Sequence, residues 1–150
     1  MTGWTGLRPI TTKYPVNHSL KEAQRIEFKD LTEKIIGSAY RVYNKMGFGF
    51  LESVYEKCLL IELRKAGLRA EYQKPIVVRY DGEVVGEFTA DVVVEDTIIL
   101  ELKSVRRIVV AHEIQLVNYL VATGKPVGLL LNFGERRVEV KRKVRVLVEG

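Results

Sequence analysis

Glu101 and Lys103 stand two residues apart in Ile98-Ile99-Leu100-Glu101-Leu102-Lys103, a stretch whose other members are all apolar. Side chains two apart on an extended chain leave the same face, so an acid and an ammonium group project together from a strand built for burial. An unpaired charge is costly to bury even after relaxation, and such groups persist where a partner charge, a metal ion or a function compensates. Asp91, in the apolar run Ala90 to Val94, is the natural third member. If Val94 pairs with Ile98 around a loop of Glu95, Asp96 and Thr97, Asp91 falls opposite Glu101 and the two carboxylates converge. A two-residue turn at Glu95-Asp96 instead sets Asp91 opposite Leu100, with the carboxylates on opposite faces unless a bulge restores the parity. The expectation is an odd loop or a bulge.

Two converging carboxylates completed by waters suit Mg²⁺ or Mn²⁺, hard ions that bind carboxylate and phosphate oxygens together. With two His and a single Cys, Cys58, the chain is poorly equipped for zinc and cannot form an intramolecular disulfide. Lys103 would help to activate a water or stabilise charge developing on a phosphate. Taken by itself, the strand reads first as the site of an ordinary Glu101/Lys103 ion pair on a solvated sheet face, which contributes little to stability.

The elements that must position these residues follow from hydrophobic period. Residues 1–17, with Pro9 and Pro15 and no regular period, form an irregular arm, and residues 18–150 form one domain. Ser19 with Glu22, and Asp30 with Glu33, resemble capping boxes ahead of a long or broken amphipathic helix through Ile35, Ala39 and Val42 to Met46. Gly47 and Gly49 turn the chain into a second helix carrying Leu51, Val54, Tyr55, Leu59 and Leu63, which ends at Gly67. The period then changes to two around Ile76, Val78 and Tyr80, and Asp81-Gly82 supplies a tight hairpin before Glu83 to Phe88. Ala90 to Val94 and Thr97 to Lys103 are apolar on both faces, as in central strands. A helix through Ile114, Leu116, Val117, Leu120 and Val121 closes at Gly124 and Pro126, and the wholly apolar strand Val127 to Leu131 follows. In the last strand Val138, Val140, Val144 and Val146 share one face with Arg142, while Arg137, Glu139, Lys141, Lys143 and Arg145 take the other. The order is ααβββαββ.

Gly49-Phe50-Leu51-Glu52-Ser53-Val54-Tyr55 resembles the G-x-x-E-x-x-Y signature of a family within the PD-(D/E)XK nuclease superfamily. The likeness continues in order through Tyr80-Asp81-Gly82-Glu83, Ala90 to Val94, Glu101-Leu102-Lys103, Gln115 to Leu120 and Gly128 to Phe133, and covers roughly Leu31 to Arg145. Each string is weak alone, and E-x-K occurs by chance in many chains; the ordered conjunction is specific. Two positions depart from the family habit: Phe48 stands where Pro is common between the glycines, and Tyr43 where His is common near the end of the first helix. The resemblance implies a restriction-endonuclease-like α/β core, a central mixed β-sheet flanked by helices. It also implies a nuclease in which Asp91 and Glu101 hold a divalent ion, Lys103 assists the water, Glu52 supports metal or water, and Gln115 orients Lys103 or a phosphate.

Without the resemblance, Glu52 is an acid stabilised by a helix dipole in its first turn, Tyr55 is packing, Gln115 faces either the sheet's active edge or water, and His112 is a structural or solvated residue at a helix start rather than a general acid or base. The net charge of +5 and a pI near 9.3 favour an anionic partner. Arg106 and Arg107, and Lys141, Lys143 and Arg145 on the last strand, would contact phosphates, or would simply form a charged edge that discourages strand aggregation. No apolar run has the length of a signal peptide core or a membrane span, so a cytoplasmic setting without membrane association is expected. The function classes left open are a metal-dependent nuclease, with DNA favoured over RNA by superfamily habit; a non-catalytic nucleic-acid-binding or protein-interaction module on the same fold; and an assembly domain joining copies of itself into a homo-oligomer through the Trp4 arm.

Overall fold

The computed structural model describes residues 18–145, with side chains described from Phe28 onward. The expected arm, the side chains of Ser19 and Glu22, and Val146 lie outside the described residues. Helix α1 (His18–Met46) runs through Asp30 without a break, and buries Ile35, Ala39 and Val42, a stripe at helical spacing. Gly47 and Gly49 adopt φ of 70° and 112°, conformations that residues with a Cβ seldom enter, and so redirect the chain into α2 (Glu52–Lys65). Buried Glu62 on α2 receives Arg41 and Lys45 from α1 together with Lys65, and ties the two helices side by side.

The long hairpin of β1 (Ala70–Tyr80) and β2 (Glu83–Val94) turns at Asp81 and Gly82, whose φ values of 49° and 80° are those of a tight turn matched to strand twist. Strand β3 (Ile98–Lys103) pairs antiparallel with β2; α3 (Val110–Thr123) then carries the chain back, so that β4 (Val127–Phe133) lies parallel to β3, and β5 (Val138–Val144) closes the edge antiparallel to β4. The result is a five-stranded mixed sheet in the order β1-β2-β3-β4-β5, with α1 and α2 on one face and α3 on the other. The fold is thus the α/β arrangement ααβββαββ expected from the sequence.

Burial on both faces explains the apolar composition of the central strands. Val92, Leu100, Leu102, Leu129 and Leu131 pack against Ile35, Tyr55 and Leu59 on the α1/α2 side. The alternate residues Val93, Ile99 and Leu130 meet Leu116, Tyr119 and Leu120 of α3. A Cβ placed on Gly128 would come within 2.7 Å of Leu116, so glycine here lets α3 lie close upon β4. Among the described residues, no helix is long and apolar enough to cross a membrane.

Candidate active site

The loop between β2 and β3 contains three residues, Glu95, Asp96 and Thr97, and the pairs are Val94 with Ile98, Val93 with Ile99 and Val92 with Leu100. Glu95 and Asp96 take the left-handed backbone, φ 51° and 52°. The parity expected from the odd loop is therefore present, and continuing it brings Asp91 opposite Glu101. There the ladder opens and the two acids take over its bonding. The Asp91 N–H donates to Glu101 Oε2 at 2.9 Å, and the Leu102 N–H donates to Asp91 Oδ2 at 2.8 Å. Asp91 is also unpaired on its other side, where β1 pairs Tyr72 with Val92 and Lys74 with Ala90 in one continuous register but the intervening Gln73 and Asp91 do not pair. Gln73 has φ 54°, strained for a residue with a Cβ. Asp91 thus stands where both neighbouring ladders are interrupted.

Helix α2 brings further acids to this opening. Leu51 precedes α2, Glu52 begins it, and Tyr55 lies fully buried one turn in, stacked on Phe133 at 4.4 Å between ring centroids. The Tyr55 hydroxyl donates to the Gly47 carbonyl and accepts the Phe50 N–H, so the tyrosine holds the glycine turn as well as packing. The Ser104 hydroxyl donates to the Phe50 carbonyl at 2.8 Å, joining the same turn to the end of β3. Spacing from glycine to glutamate to tyrosine then has a physical meaning: the turn, the helix start and its anchor are one unit. Glu56, one turn beyond Glu52, is buried and accepts a hydrogen bond from Gln73 Nε2 at 3.0 Å.

Glu52, Glu56, Asp91 and Glu101 are close enough for their charges to act on one another, with Lys103 the cation among them. Burial, then repulsion from Asp91, pushes Glu101 up to about 8 against the opposing Asp91 N–H and Lys103. Glu56 is pushed up to about 6 by burial and by Asp91, while hydrogen bonds from Tyr72 and Gln73 pull the other way. Asp91 is raised chiefly by burial and further by Glu52; the Leu102 N–H and Lys103 restrain it. On α3, Tyr119 is raised by burial and by the nearby Glu101 charge.

Hard oxygen donors under mutual repulsion are the chemistry that a divalent cation relieves, and the donor set fits one in kind. Among the described residues, Asp91 Oδ1 and Glu101 Oε1 accept no hydrogen bond. Also among the described residues, no three His, Cys, Asp or Glu side chains are gathered as a ready-made ligand set.

The remaining expected site residues are distributed unevenly. Gln115 is exposed and its amide donates to the Tyr119 hydroxyl at 3.0 Å, so its bond is to Tyr119 rather than to Lys103. His112 Nδ1 accepts the Val109 N–H, a local bond at the start of α3. Arg106 and Arg107 follow β3 directly and are exposed. Lys143 lies opposite Gly128, at the other end of β4 from the Lys103/Asn132 pair, and binds Glu113 at 2.7 Å. Arg145 lies beyond it, its N–H donating to the Pro126 carbonyl, and Lys141 is exposed beside the same Glu113. Lys143 and Arg145 thus lie toward the far end of β4 from the carboxylates, whereas Lys141 stands two strands across from Glu101, through Leu130, and Arg106 and Arg107 follow Lys103 by three and four residues. Sequence reasoning missed Glu56, Gln73 and Tyr119. The signal for Glu56 is present: it precedes Leu59, Leu60 and Leu63 on the helix's buried stripe, where a carboxylate requires a reason.

No curated protein matches this sequence. Among solved structures, the fold is similar to that in the crystal structure of SSO0001, with a TM-score of 0.52 and 20% sequence identity over 65% of this chain and 52% of that one, a likeness of fold alone. The chain therefore spans about half the length of that protein. The sequence pattern of the PD-(D/E)XK nucleases matches residues 29–143, a span that contains Glu52, Asp91, Glu101, Lys103 and Gln115. With that match over most of its length, on an α/β fold whose sheet opens between Asp91 and Glu101, this chain belongs to the PD-(D/E)XK nuclease superfamily.

Proposed function

We propose that the chain is a nuclease of the GxxExxY group within that superfamily, hydrolysing phosphodiester bonds of nucleic acid, DNA in preference to RNA, with Mg²⁺ or Mn²⁺. The observation that carries this reading is the interlock of Asp91 and Glu101 across the opened ladder, beside Lys103. Each carboxylate commits one oxygen to a backbone N–H, which fixes its direction and leaves the other oxygen as a donor. Asp91 and Glu101 would hold the ion, with Glu52 next to them; bound there, it would neutralise charge on the scissile phosphate and favour ionisation of a water. Lys103 leaves the same face of β3 as Glu101, about 7 Å along the strand, and would donate to the phosphate or the attacking water. Glu56, pushed up to about 6, exchanges its proton close to neutrality, as a group that takes a proton from water must. Gln115 acts through Tyr119, which it hydrogen-bonds.

The test is cleavage of single-stranded, duplex and branched DNA and RNA with Mg²⁺, Mn²⁺ or EDTA. Wild type should cut at least one substrate in a metal-dependent way. Lys103→Ala should lose cleavage by a factor of about 10² or more and keep its melting temperature. Equal cleavage by wild type and Lys103→Ala would assign the activity to another site or another protein. Metal-independent binding without any cleavage would instead favour a non-catalytic binding module.

A further inference from the structure

The turn between β4 and β5 and the loop after β3 enclose a cleft of about 550 Å³ lined by Arg106, Arg107, Arg136 and Arg137 together with Glu135 and Glu139. Arg106 is engaged by Glu135 at 3.3 Å; among the described residues, Arg107, Arg136 and Arg137 form no ion pair. Three unpaired guanidinium groups on one concavity repel each other in the free protein, and guanidinium forks match phosphate oxygens in pairs. All four cations are arginine, although the chain holds lysines in plenty elsewhere.

The walls of the cleft are fixed rather than loose. Asn132 is fully buried; its Oδ1 accepts the Val105 N–H at 2.9 Å, and its Nδ2 donates to the Val105 carbonyl at 2.8 Å and to Glu139 Oε1 at 2.9 Å. One side chain thereby clamps the loop bearing Arg106 and Arg107 to the strand that follows Arg136 and Arg137. The Gly134 carbonyl accepts the Tyr43 hydroxyl at 2.6 Å, and the Gly134 N–H donates to the Arg137 carbonyl, so the turn is anchored on α1 as well. Such preorganisation lowers the ordering cost of binding.

The cleft also has the right address. Lys103 is paired with Asn132, and Arg106 lies three residues further on, hence within about 10 Å of Lys103. That reach is about three base-pair steps of a duplex strand. We infer that this arginine cleft binds internal phosphates of the nucleic-acid strand beside the one at the carboxylates, holding the strand across Asp91 and Glu101. The inference takes its ligand from the nuclease reading but is testable without cleavage.

Binding of a fluorescently labelled oligonucleotide, with and without a 5′-phosphate, is measured by anisotropy in EDTA over a range of salt. The proteins are wild type, an Arg107→Ala/Arg136→Ala/Arg137→Ala triple variant, the matching Arg→Lys triple, and Arg64→Ala as an exposed control on α2. The alanine triple should bind at least about tenfold more weakly and lose about two to three units of salt slope, at unchanged melting temperature and regardless of the terminal phosphate. The lysine triple should retain the slope and lose part of the affinity, and Arg64→Ala should match wild type. Wild-type affinity and slope in the alanine triple, no binding by wild type, or binding only with the 5′-phosphate would each overturn the inference. Loss of binding in the triple by a wild type that cuts nothing would leave the cleft standing and remove the nuclease; metal-dependent cleavage with an unchanged KM in the triple would do the reverse.

Discussion

A carboxyl group that holds its proton up to about pH 8, as Glu101 does, makes the fold sensitive to pH in a calculable direction. In the unfolded chain Glu101 ionises in the ordinary glutamate range, so between that range and about 8 the folded state binds more protons than the unfolded one. Stability therefore falls as pH rises through that window and is lowest once Glu101 is ionised above it. Glu101→Gln keeps an oxygen for the Asp91 N–H and removes the charge. In EDTA at about pH 9 it should melt higher than wild type, by about 2–4 °C for each kcal/mol of relieved repulsion, and the difference should vanish in acid. Thermal denaturation across pH checks this; a variant that melts lower than wild type at alkaline pH would show that the charge is not a burden. A substitution that stabilises the fold while abolishing activity is what a site built around repelling acids entails.

At the scale of the element, the helix start at Glu52 owes its position to Tyr55. Tyr55→Phe preserves the stack on Phe133 and deletes the hydroxyl shared by the Gly47 carbonyl and the Phe50 N–H. The expected cost is about 1–3 kcal/mol, read as a lower melting temperature; an unchanged melting temperature would mean that the turn holds without it. This anchor also marks a limit of what the chain discloses. Helical and alternating periods foretell the described elements, because they are local properties, whereas the sequence leaves the β2–β3 turn open between two residues and an odd loop or bulge, and the structure has the three-residue Glu95-Asp96-Thr97. The sequence marks Tyr55 only as packing, since the partners of its hydroxyl are defined by how a turn folds back. Gln73 gave no sign: a left-handed residue in a strand carries no local signature when it is not glycine. The last-strand cations looked like one basic face, but Lys143 is taken by Glu113, a pairing that exists only once α3 lies over β5.

For the whole molecule, the consequence of the fold is a concentration of acids within a basic chain. Net charge is +5, yet α2, β2 and β3 bring Glu52, Glu56, Asp91 and Glu101 to one opening, while Arg106, Arg107, Arg136 and Arg137 surround the cleft at its flank. Acids that repel one another favour a cation, and a cleft of arginines favours a polyanion. The central claim is that Asp91 and Glu101 jointly hold one hard cation. Calorimetric titration of Mn²⁺ into wild type, Asp91→Asn and Glu101→Gln, at about pH 7 in two buffers of different ionisation enthalpy, tests it directly. Wild type should bind one ion per chain with proton release, and each variant should bind it at least about tenfold more weakly. Equal affinity in all three proteins, or no binding by wild type even with oligonucleotide present, would contradict it.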